Sequence, residues 1–322
     1  MSRILKIALT AIALLHGPAV AQEVYPNKPI SLVVGFPPGG ASDTVTRIFG
    51  EALSKKFGQP VIVVNKPGAA TTVAAGSVAS APPDGYTLYI GPASLFGGDK
   101  ALYKSVSYEP KDFIPITRIS AAPLLMCVSK NSGINSVAEL VSRAKNEPEK
   151  LFVGSGGSGS VTHIAAVQFQ NLANVKLTHV PYKGGAAYVI ALVAGDIQVA
   201  FGTMASVQGM VDSGKAVGLA VTTATRSPLQ PKYPSIAEAG VPGYEFTNWL
   251  GLYAPANTPA AIAERLYAVS VEILNDPEVK QRLFNRGEIA LPSASMAEFK
   301  EFALREGAEY AQFIKQSGVQ VD

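Results

Sequence analysis

The stretch "GFPPGGASD", residues 35–43, joins an apolar run at 29–34 to a segment with helical periodicity that begins at Thr44. Two prolines stiffen this turn, and its two adjacent glycines leave it with few bulky side chains. In such a loop the backbone N–H groups can approach a ligand closely, and the N-terminus of the following helix adds a partial positive charge. The stretch therefore predicts an α/β protein that binds an anion where a strand runs into a helix.

Short apolar runs alternate with helix-period segments along most of the chain, which predicts an α/β fold class. Strands are predicted at 30–36, 61–65, 86–91, 124–128, 151–153, 176–180, 198–201 and 217–222. Helices are predicted at 42–57, 137–145, 161–172, 186–194, 259–274, 277–285 and 295–316. The two α/β runs predict two lobes, one formed by residues 22–121 with 227–322 and the other by 122–226. A ligand cleft is expected between them.

The first 21 residues have the composition of a secretory signal peptide. Arg3 and Lys6 form a basic start, residues 7–15 are apolar, and Ala19-Val20-Ala21 fits a cleavage site. The mature chain is expected to begin at Gln22 and to be exported; a buried N-terminal helix is the alternative. No later run reaches the about 18 apolar residues of a membrane helix, so no membrane insertion is expected.

Composition narrows the function classes further. The formal net charge is +3 and 48% of the residues are hydrophobic, which is normal for a folded globular protein. No block of Lys and Arg follows the signal peptide, which argues against nucleic-acid binding. The single cysteine, Cys127, is expected to be buried in a strand. His163 and His179 lack metal-ligand spacing, so no metal and no cofactor are expected.

A second strand–loop–helix unit occurs at residues 153–161, "VGSGGSGSV". Its backbone N–H groups and the hydroxyls of Ser155, Ser158 and Ser160 suit a carboxylate better than a cation; a flexible linker is the alternative reading. The loop also matches G-x-G-x-x-G, but no acidic residue lies between Glu149 and Asp196 to hold a ribose. A dinucleotide site is therefore disfavoured.

An exported serine hydrolase is the alternative from another function class. Ser160 and His163 could share a helix face, but no G-x-S-x-G elbow surrounds any serine and no orienting acid can be assigned. No catalytic residue is therefore predicted. A sensor that presents its ligand to a membrane kinase would use the same cleft as a transport receptor.

Eight segments, taken in their order along the chain, resemble the Bug family, the periplasmic solute-binding proteins of tripartite tricarboxylate transporters. The segments are "GFPPGGASD" (35–43), "PPDGYTL" (82–88), "VSYEP" (106–110), "GSGGSGSVTH" (154–163), "PYKGG" (181–185), "ALVAGDIQ" (191–198), "YPSIAEAGVPGYE" (233–245) and "WLGLYAPANTP" (249–259). The resemblance implies a two-lobed, type II-like periplasmic binding protein with two crossover strands. It also implies a periplasmic, non-enzymatic receptor, expected to be a monomer, that delivers a small carboxylate to membrane transport subunits.

The resemblance further implies which residues contact the ligand. The implied contacts are Phe36, Gly40, Ala41 and Ser42 in the first lobe, Gly157, Ser158, Gly159, Ser160 and His163 in the second, and Ala93, Ser94 and Thr203 after two further strands. Two departures refine the ligand. Many relatives have an acidic residue near the position of Thr203. Its absence here disfavours an amino acid as the ligand, because the ammonium group would lack a counter-charge. The segment 91–98 is more apolar than usual. A hydrophobic or aromatic mono- or dicarboxylate, such as terephthalate, is therefore expected.

Overall fold

The computed structural model describes residues 25–317, apart from the side chains of residues 93, 205 and 317. The predicted signal peptide, residues 1–21, lies outside the described residues. The strands are β1 (Ile30–Val34), β2 (Val61–Asn65), β3 (Thr87–Pro92), β4 (Phe113–Ser129), β5 (Phe152–Ser155), β6 (Thr178–Pro181), β7 (Val199–Thr203), β8 (Ala216–Val221), β9 (Thr247–Pro255) and β10 (Ile289–Ala290). The helices are α1 (Ala41–Phe57), α2 (Thr72–Ala79), α3 (Gly98–Leu102), α4 (Val137–Asn146), α5 (Val161–Ala173), α6 (Gly185–Ala194), α7 (Met204–Asp212), α8 (Ala260–Asn275), α9 (Pro277–Phe284) and α10 (Met296–Ser317).

The strands form one continuous hydrogen-bonded path in the order β2-β1-β3-β9-β4-β7-β5-β6, with β8 and β10 also paired to β4. In the first lobe β1 pairs in parallel with β2 and β3, and β9 joins them antiparallel. In the second lobe β5 pairs in parallel with β6 and β7. Parallel strands place their carboxyl ends at one edge of each half-sheet, and those edges carry the loops that open the helices.

Strand β4 belongs to both lobes. Its first half pairs with β9, and its second half, from Leu124, pairs with β7 and β8. The lobe boundary predicted after residue 121 falls within this strand. The strand nevertheless continues, with a register shift next to Pro115, where a missing N–H donor is tolerated. β9 runs antiparallel to the first half of β4 as far as Pro123, next to the point where the second-lobe pairing begins.

Each lobe has its own hydrophobic core. In the first lobe, Leu32 and Phe49 belong to a core cluster between the half-sheet and helices α1 and α8. In the second lobe, Phe169, Phe201 and Tyr244 pack together. Because Tyr244 belongs to this second core, the packing indicates that the chain returns to the first lobe after that residue. The lobe boundaries drawn from the sequence stay predictions. Cys127 is fully buried in β4, as expected.

The helix ends follow local sequence rules. α1 has Asp43 in its first turn, lysines in its last turn, and ends at Gly58, whose φ of 65° is left-handed. The side chain of Asp276 caps α9, and Pro277 takes the first helical position, where its missing N–H costs no hydrogen bond. Among residues 25–317, no helix is both long enough and apolar enough to span a membrane.

Candidate functional site

A cleft of about 270 Å³ lies between the two lobes, at the carboxyl ends of strands from both half-sheets. Five residues that the sequence assigned to ligand binding line it: Phe36, Ser42, Ser94, Gly159 and Ser160. The cleft is bounded by loops from both lobes and by α10. The structure therefore brings the two loops that the sequence singled out into one site.

The first-lobe loop presents an uncapped helix N-terminus to the cleft. Gly40 occupies the N-cap position of α1 and makes no side-chain capping hydrogen bond. The backbone N–H groups of Ala41 and Ser42 have no acceptor among residues 25–317. Such a helix start carries a partial positive charge and free donors, and it favours an anion.

Asp43 braces this loop from behind and is buried. Its carboxylate accepts hydrogen bonds from the backbone N–H of Gly39 over 2.9 Å, from Asn65 over 2.8 Å and from Arg47 at both oxygens. Burial alone would raise the pKa of Asp43, but the hydrogen bonds from Arg47, Gly39 and Asn65 lower it below its usual value. Asp43 is therefore a charged support for the loop. Arg47 pairs with it and has a half-exposed side chain.

The second-lobe loop is held mainly by its own hydrogen bonds. Ser160 caps α5 by accepting from the backbone N–H of His163, and its Oγ donates to the carbonyl of Gly157 over 2.7 Å. The N–H of Gly156 donates to Thr162 over 2.9 Å. The N–H groups of Val161 and Thr162 have no acceptor within the described part of the chain. Because Val161 lines the cleft, a second helix N-terminus faces the same space as that of α1.

His163 lies beneath the loop and outside the cleft lining. Its side chain is 3% exposed, and its Nδ1 accepts from the N–H of Gly159 over 3.1 Å. Its ring stacks on that of His179 with centroids 3.7 Å apart, and His179 Nε2 is 2.7 Å from Ser155 Oγ. Burial and the neighbouring His179 lower the pKa of His163 to about 4. The neutral pair supports the loop from below.

Several other residues that the sequence assigned to the site do not line the cleft: Gly40, Ala41, Gly157, Ser158 and Thr203. Gly40 and Ala41 shape the start of α1, and Gly157 and Ser158 belong to the turn of the second loop. The Thr203 hydroxyl is 2.7 Å from that of Ser206, at the start of α7. The backbone of Ala93 lies between Pro92 and Ser94, both of which line the cleft.

The cleft has a polar first-lobe wall that sequence reasoning missed. We call Thr71, Asp99 and Trp249 the inner wall; they are 3%, 1% and 2% exposed. Thr71 Oγ1, Asp99 Oδ1 and Trp249 Nε1 are buried and have no hydrogen-bond partner in the described part of the chain. A buried polar atom without a partner costs about 1–3 kcal/mol, so a ligand that offers hydrogen-bond partners to these three atoms gains affinity.

Backbone strain is concentrated at the same wall. Ala69, Ala70 and Thr71 are three consecutive non-glycine residues with positive φ, and Thr71 reaches 85°. A β-branched residue in this region is disfavoured by its own Cβ, and such strain is found mainly at ligand-binding positions. The side chain of Thr71 also lies against Gly35, where an added Cβ would come within 2.4 Å of it. The proline-glycine loop and the strained segment are thus fitted to each other.

Helix α10 closes the cleft from the first lobe. Tyr310 donates a hydrogen bond from its hydroxyl to the carbonyl of Gly159 over 2.9 Å, which joins the lobes directly. Leu102 and Ile314 pack with Ile164 of α5 in a small apolar cluster across the same junction. Neither Tyr310 nor Glu306, which also lines the cleft, could be found from the sequence, because no strand-end pattern marks them.

Ser160 and His163 are not arranged as the catalytic pair of a serine hydrolase. Ser160 Oγ contacts Gly157 and Thr162, while Nδ1 of His163 is already occupied by Gly159. The two side chains therefore do not form a nucleophile–base pair. Within residues 25–317, no group of three or more His, Cys, Asp or Glu side chains is placed to hold a metal ion.

A larger hollow of about 520 Å³ lies behind the cleft and includes Arg118 and Arg305. It shares Thr247 and Glu306 with the cleft. Its lining contains no residue of the loops 35–43 and 153–161, so the smaller cleft is the better candidate for ligand binding.

Two lobes joined by shared strands, with helix N-termini from both facing one cleft, define the architecture of a solute-binding protein. The chain belongs to the tripartite tricarboxylate transporter family receptors (TctC), whose family model matches residues 45–319. It is 35% identical over 267 residues to a UPF0065 protein in the tcbD-tcbE intergenic region of Pseudomonas sp. strain P51, covering 82% of this chain and 79% of that protein. The family and fold are those of periplasmic binding receptors, which are not enzymes.

Two solved structures of similar proteins carry named ligands. R. palustris Rpa4515 with adipate is 32% identical, with a TM-score of 0.79, and the match covers 92% of this chain and 100% of that one. MatC (Rpa3494) from Rhodopseudomonas palustris with bound malate is 29% identical, with a TM-score of 0.74, and the match covers 90% and 100%. The resemblance to the Bug family and the predicted fold class are therefore confirmed.

Proposed function

We propose that this receptor captures a small carboxylate in the cleft and presents it to membrane subunits of a tripartite tricarboxylate transporter. The observation that carries the proposal is the convergence of two helix N-termini with free N–H groups, at Ser42 in one lobe and Val161 in the other, on one cleft. Each supplies free N–H donors and a partial positive charge to an anion. An anion held by both lobes stabilises their contact, as a ligand-driven closure requires.

We further propose that the ligand is a hydrophobic or aromatic carboxylate, of which terephthalate is an example. Phe36, Leu102, Phe246 and the indole of Trp249 line the cleft. Among the described residues, no Lys, Arg or His side chain lines it. A highly charged ligand such as a tricarboxylate would therefore be poorly compensated. Adipate and malate, each bound by a relative, are the natural comparison ligands.

The cellular setting is proposed from the family and the chain's own start. A receptor of this kind works in the periplasm, and residues 1–21 have the features of an export signal. We propose that the protein acts there as a monomer, since each chain provides both lobes of its own cleft.

The test is a binding screen on the mature chain, residues 22–322, by thermal shift and then by calorimetry. The panel contains benzoate, terephthalate, adipate, malate, citrate and glutamate. A ligand at about 100 times its Kd adds about 2.7 kcal/mol of stability, which a melting curve resolves readily. We expect one hydrophobic or aromatic carboxylate to bind more tightly than citrate. Tighter binding of citrate would contradict the proposed ligand class, and no binding of any carboxylate would contradict the function.

A further inference from the structure

The inner wall lacks the charge that a second ligand carboxylate would require. Beyond the two helix N-termini, the ionisable carboxyl groups that line the cleft are those of Asp99 and Glu306, and no basic side chain among residues 25–317 lines it. An ionised carboxylate brought against these groups would meet like charge in a partly dehydrated space, which strongly disfavours it.

Asp99 is the group best placed to meet the ligand. One oxygen, Oδ2, accepts a short hydrogen bond from the hydroxyl of Tyr108, while Oδ1 has no partner of acceptable geometry. Burial raises the pKa of Asp99, and the hydroxyls of Tyr108 and Ser94 offset that only in part. The carboxyl therefore holds a proton more readily than an exposed aspartate does.

The other polar groups around Asp99 do not neutralise its charge. Those that act on it electrostatically or by hydrogen bonding are hydroxyl groups: Ser94, Tyr89, Tyr103, Tyr108, Tyr253 and Tyr310. All five tyrosines have a raised pKa, so their hydroxyls stay protonated at neutral pH.

Glu306 is the second carboxyl group of the cleft lining and lies on α10. Burial and the neighbouring Glu309 raise its pKa, while Trp249 and Arg305 lower it and Glu245 adds a smaller raising effect. Trp249 Nε1 lies near this carboxyl but outside hydrogen-bonding geometry. The second acid of the cleft thus also holds a proton more readily than an exposed glutamate does.

We propose that the inner wall binds a ligand group that shares a proton with Asp99, so that a dicarboxylate is held with one of its two carboxyl groups and Asp99 carrying a single proton between them. This inference rests on the proposed carboxylate-binding function. Two carboxyls in hydrogen-bond contact cannot both stay ionised, and the pair retains one proton. The helix N-termini take the ionised carboxylate, and the inner wall selects a second group that either carries a proton or accepts one from Asp99.

We therefore expect the affinity for dicarboxylates to depend on pH, and the affinity for monocarboxylates with a hydroxyl at the other end to depend on it much less. Free dicarboxylates such as adipate are fully ionised above about pH 6, so their complex needs a proton from Asp99 or from solvent. Above the pKa of Asp99, their affinity should fall by up to about tenfold per pH unit. A monocarboxylate of the same length with a hydroxyl at its other end needs no such proton.

Calorimetry on the mature chain between pH 6.0 and 8.5 tests this. The matched sets are adipate, 6-hydroxyhexanoate and hexanoate, and terephthalate, 4-hydroxybenzoate and benzoate. We expect the affinity for the better-bound dicarboxylate to fall at least about tenfold over this range, with proton uptake visible as a buffer-dependent enthalpy. The matched hydroxy acid should change less than about twofold.

Asp99→Asn is the decisive variant, because an amide keeps the shape and can donate without titrating. It should bind the dicarboxylate within about threefold of the wild-type affinity at pH 6.0 and lose the pH dependence. Asp84→Asn, at an exposed acid paired with Lys28, is the control and should keep the full pH dependence.

Three results would overturn the inference. One is dicarboxylate affinity that does not change with pH in the wild type, and another is a pH dependence that survives in Asp99→Asn. The third is tighter binding of 6-aminohexanoate than of 6-hydroxyhexanoate, since an ammonium preference requires an ionised Asp99. Monocarboxylate binding without the pH effect would leave the proposed function intact, whereas absence of all carboxylate binding would remove both.

Discussion

The backbone N–H of Gly159 donates to Nδ1 of His163 over 3.1 Å, and the carbonyl of the same glycine accepts from the hydroxyl of Tyr310 over 2.9 Å. The first bond fixes the second-lobe loop to its own helix. The second ties that loop to α10 of the other lobe. Gly159 therefore connects the hydrogen bond that holds the second-lobe loop to the hydrogen bond between the lobes. Substitutions at Gly159 and at the residues around it test this role.

Replacing His163 by Asn should destabilise the protein most at neutral pH. The pKa of His163 is lowered to about 4 because the neutral ring is buried, whereas the unfolded chain has an ordinary value near 6.5. The wild-type advantage is therefore full above pH 6.5 and is lost as pH falls towards 4, by up to about 3 kcal/mol. Urea unfolding of both proteins at pH 7.0 and 4.5 measures it. If the variant lost the same free energy of unfolding at both pH values, a buried neutral ring at His163 would be contradicted.

Glu288 should produce a pH effect of the opposite sign. It is buried, Ser120 donates to it over 2.8 Å, and burial raises its pKa to about 7. The folded state therefore binds more protons than the unfolded state between about pH 4.5 and 7. Stability present below pH 4.5 is lost as pH rises through that window, by up to about 3 kcal/mol. Glu288→Gln should remove this loss, as seen in unfolding curves at pH 5 and 8. If the free energy of unfolding of the variant changed with pH in the same way as that of the wild type, the raised pKa assigned to Glu288 would be refuted.

Gly159→Ala should weaken ligand binding by more than about tenfold. Gly159 has a φ of +74°, and an added Cβ would lie 2.7 Å from Cδ1 of Leu102 in the opposite lobe. The substitution combines backbone strain with a steric clash between the lobes. Gly133→Ala is the matched control, since its φ is +72° and nothing lies near its Cβ. Calorimetry should show an affinity loss for the first variant only; equal losses would mean that strain alone is responsible.

Tyr310→Phe should reduce ligand affinity about five- to tenfold while leaving the fold intact. The change removes one hydrogen bond between the lobes, worth about 1 kcal/mol, and leaves the Gly159 carbonyl with one partner fewer. Tyr267→Phe, which removes hydrogen bonds to Ser293 and Ala294 that do not join the lobes, is the control. Small-angle scattering with and without ligand should show less compaction for Tyr310→Phe. Unchanged affinity would show that this bond does not contribute to closure.

The parts of the site that are local in sequence could be predicted. The loops at 35–43 and 153–161 each join a strand to a helix, so their proline, glycine and serine content is enough to indicate an uncapped or serine-capped helix start. Ser160 was found in this way, whereas Ser42 was assigned by the resemblance to the Bug family. The segment 91–98, which the sequence marked as apolar, contributes Pro92, Ser94 and Gly98 to the lining, whereas the large apolar side chains of the cleft come from other segments.

The inner wall could not be predicted, because its members meet only through tertiary packing. Asp99 lies on a helix of five residues with no recognisable motif, and Thr71 lies in a strained turn of small residues. Trp249 reads as a core residue of a strand. His163 was assigned to the ligand by resemblance, but its burial under the loop depends on its stacking with His179, far away in sequence.

The most direct test is a crystal structure of the mature protein with its best-bound carboxylate. We expect a carboxylate oxygen within about 3 Å of backbone N–H groups at the start of α1, near Ser42, and at the start of α5, near Val161. A carboxylate bound instead between Arg118 and Arg305 in the larger hollow would contradict it, and would move the ligand site away from the two helix N-termini.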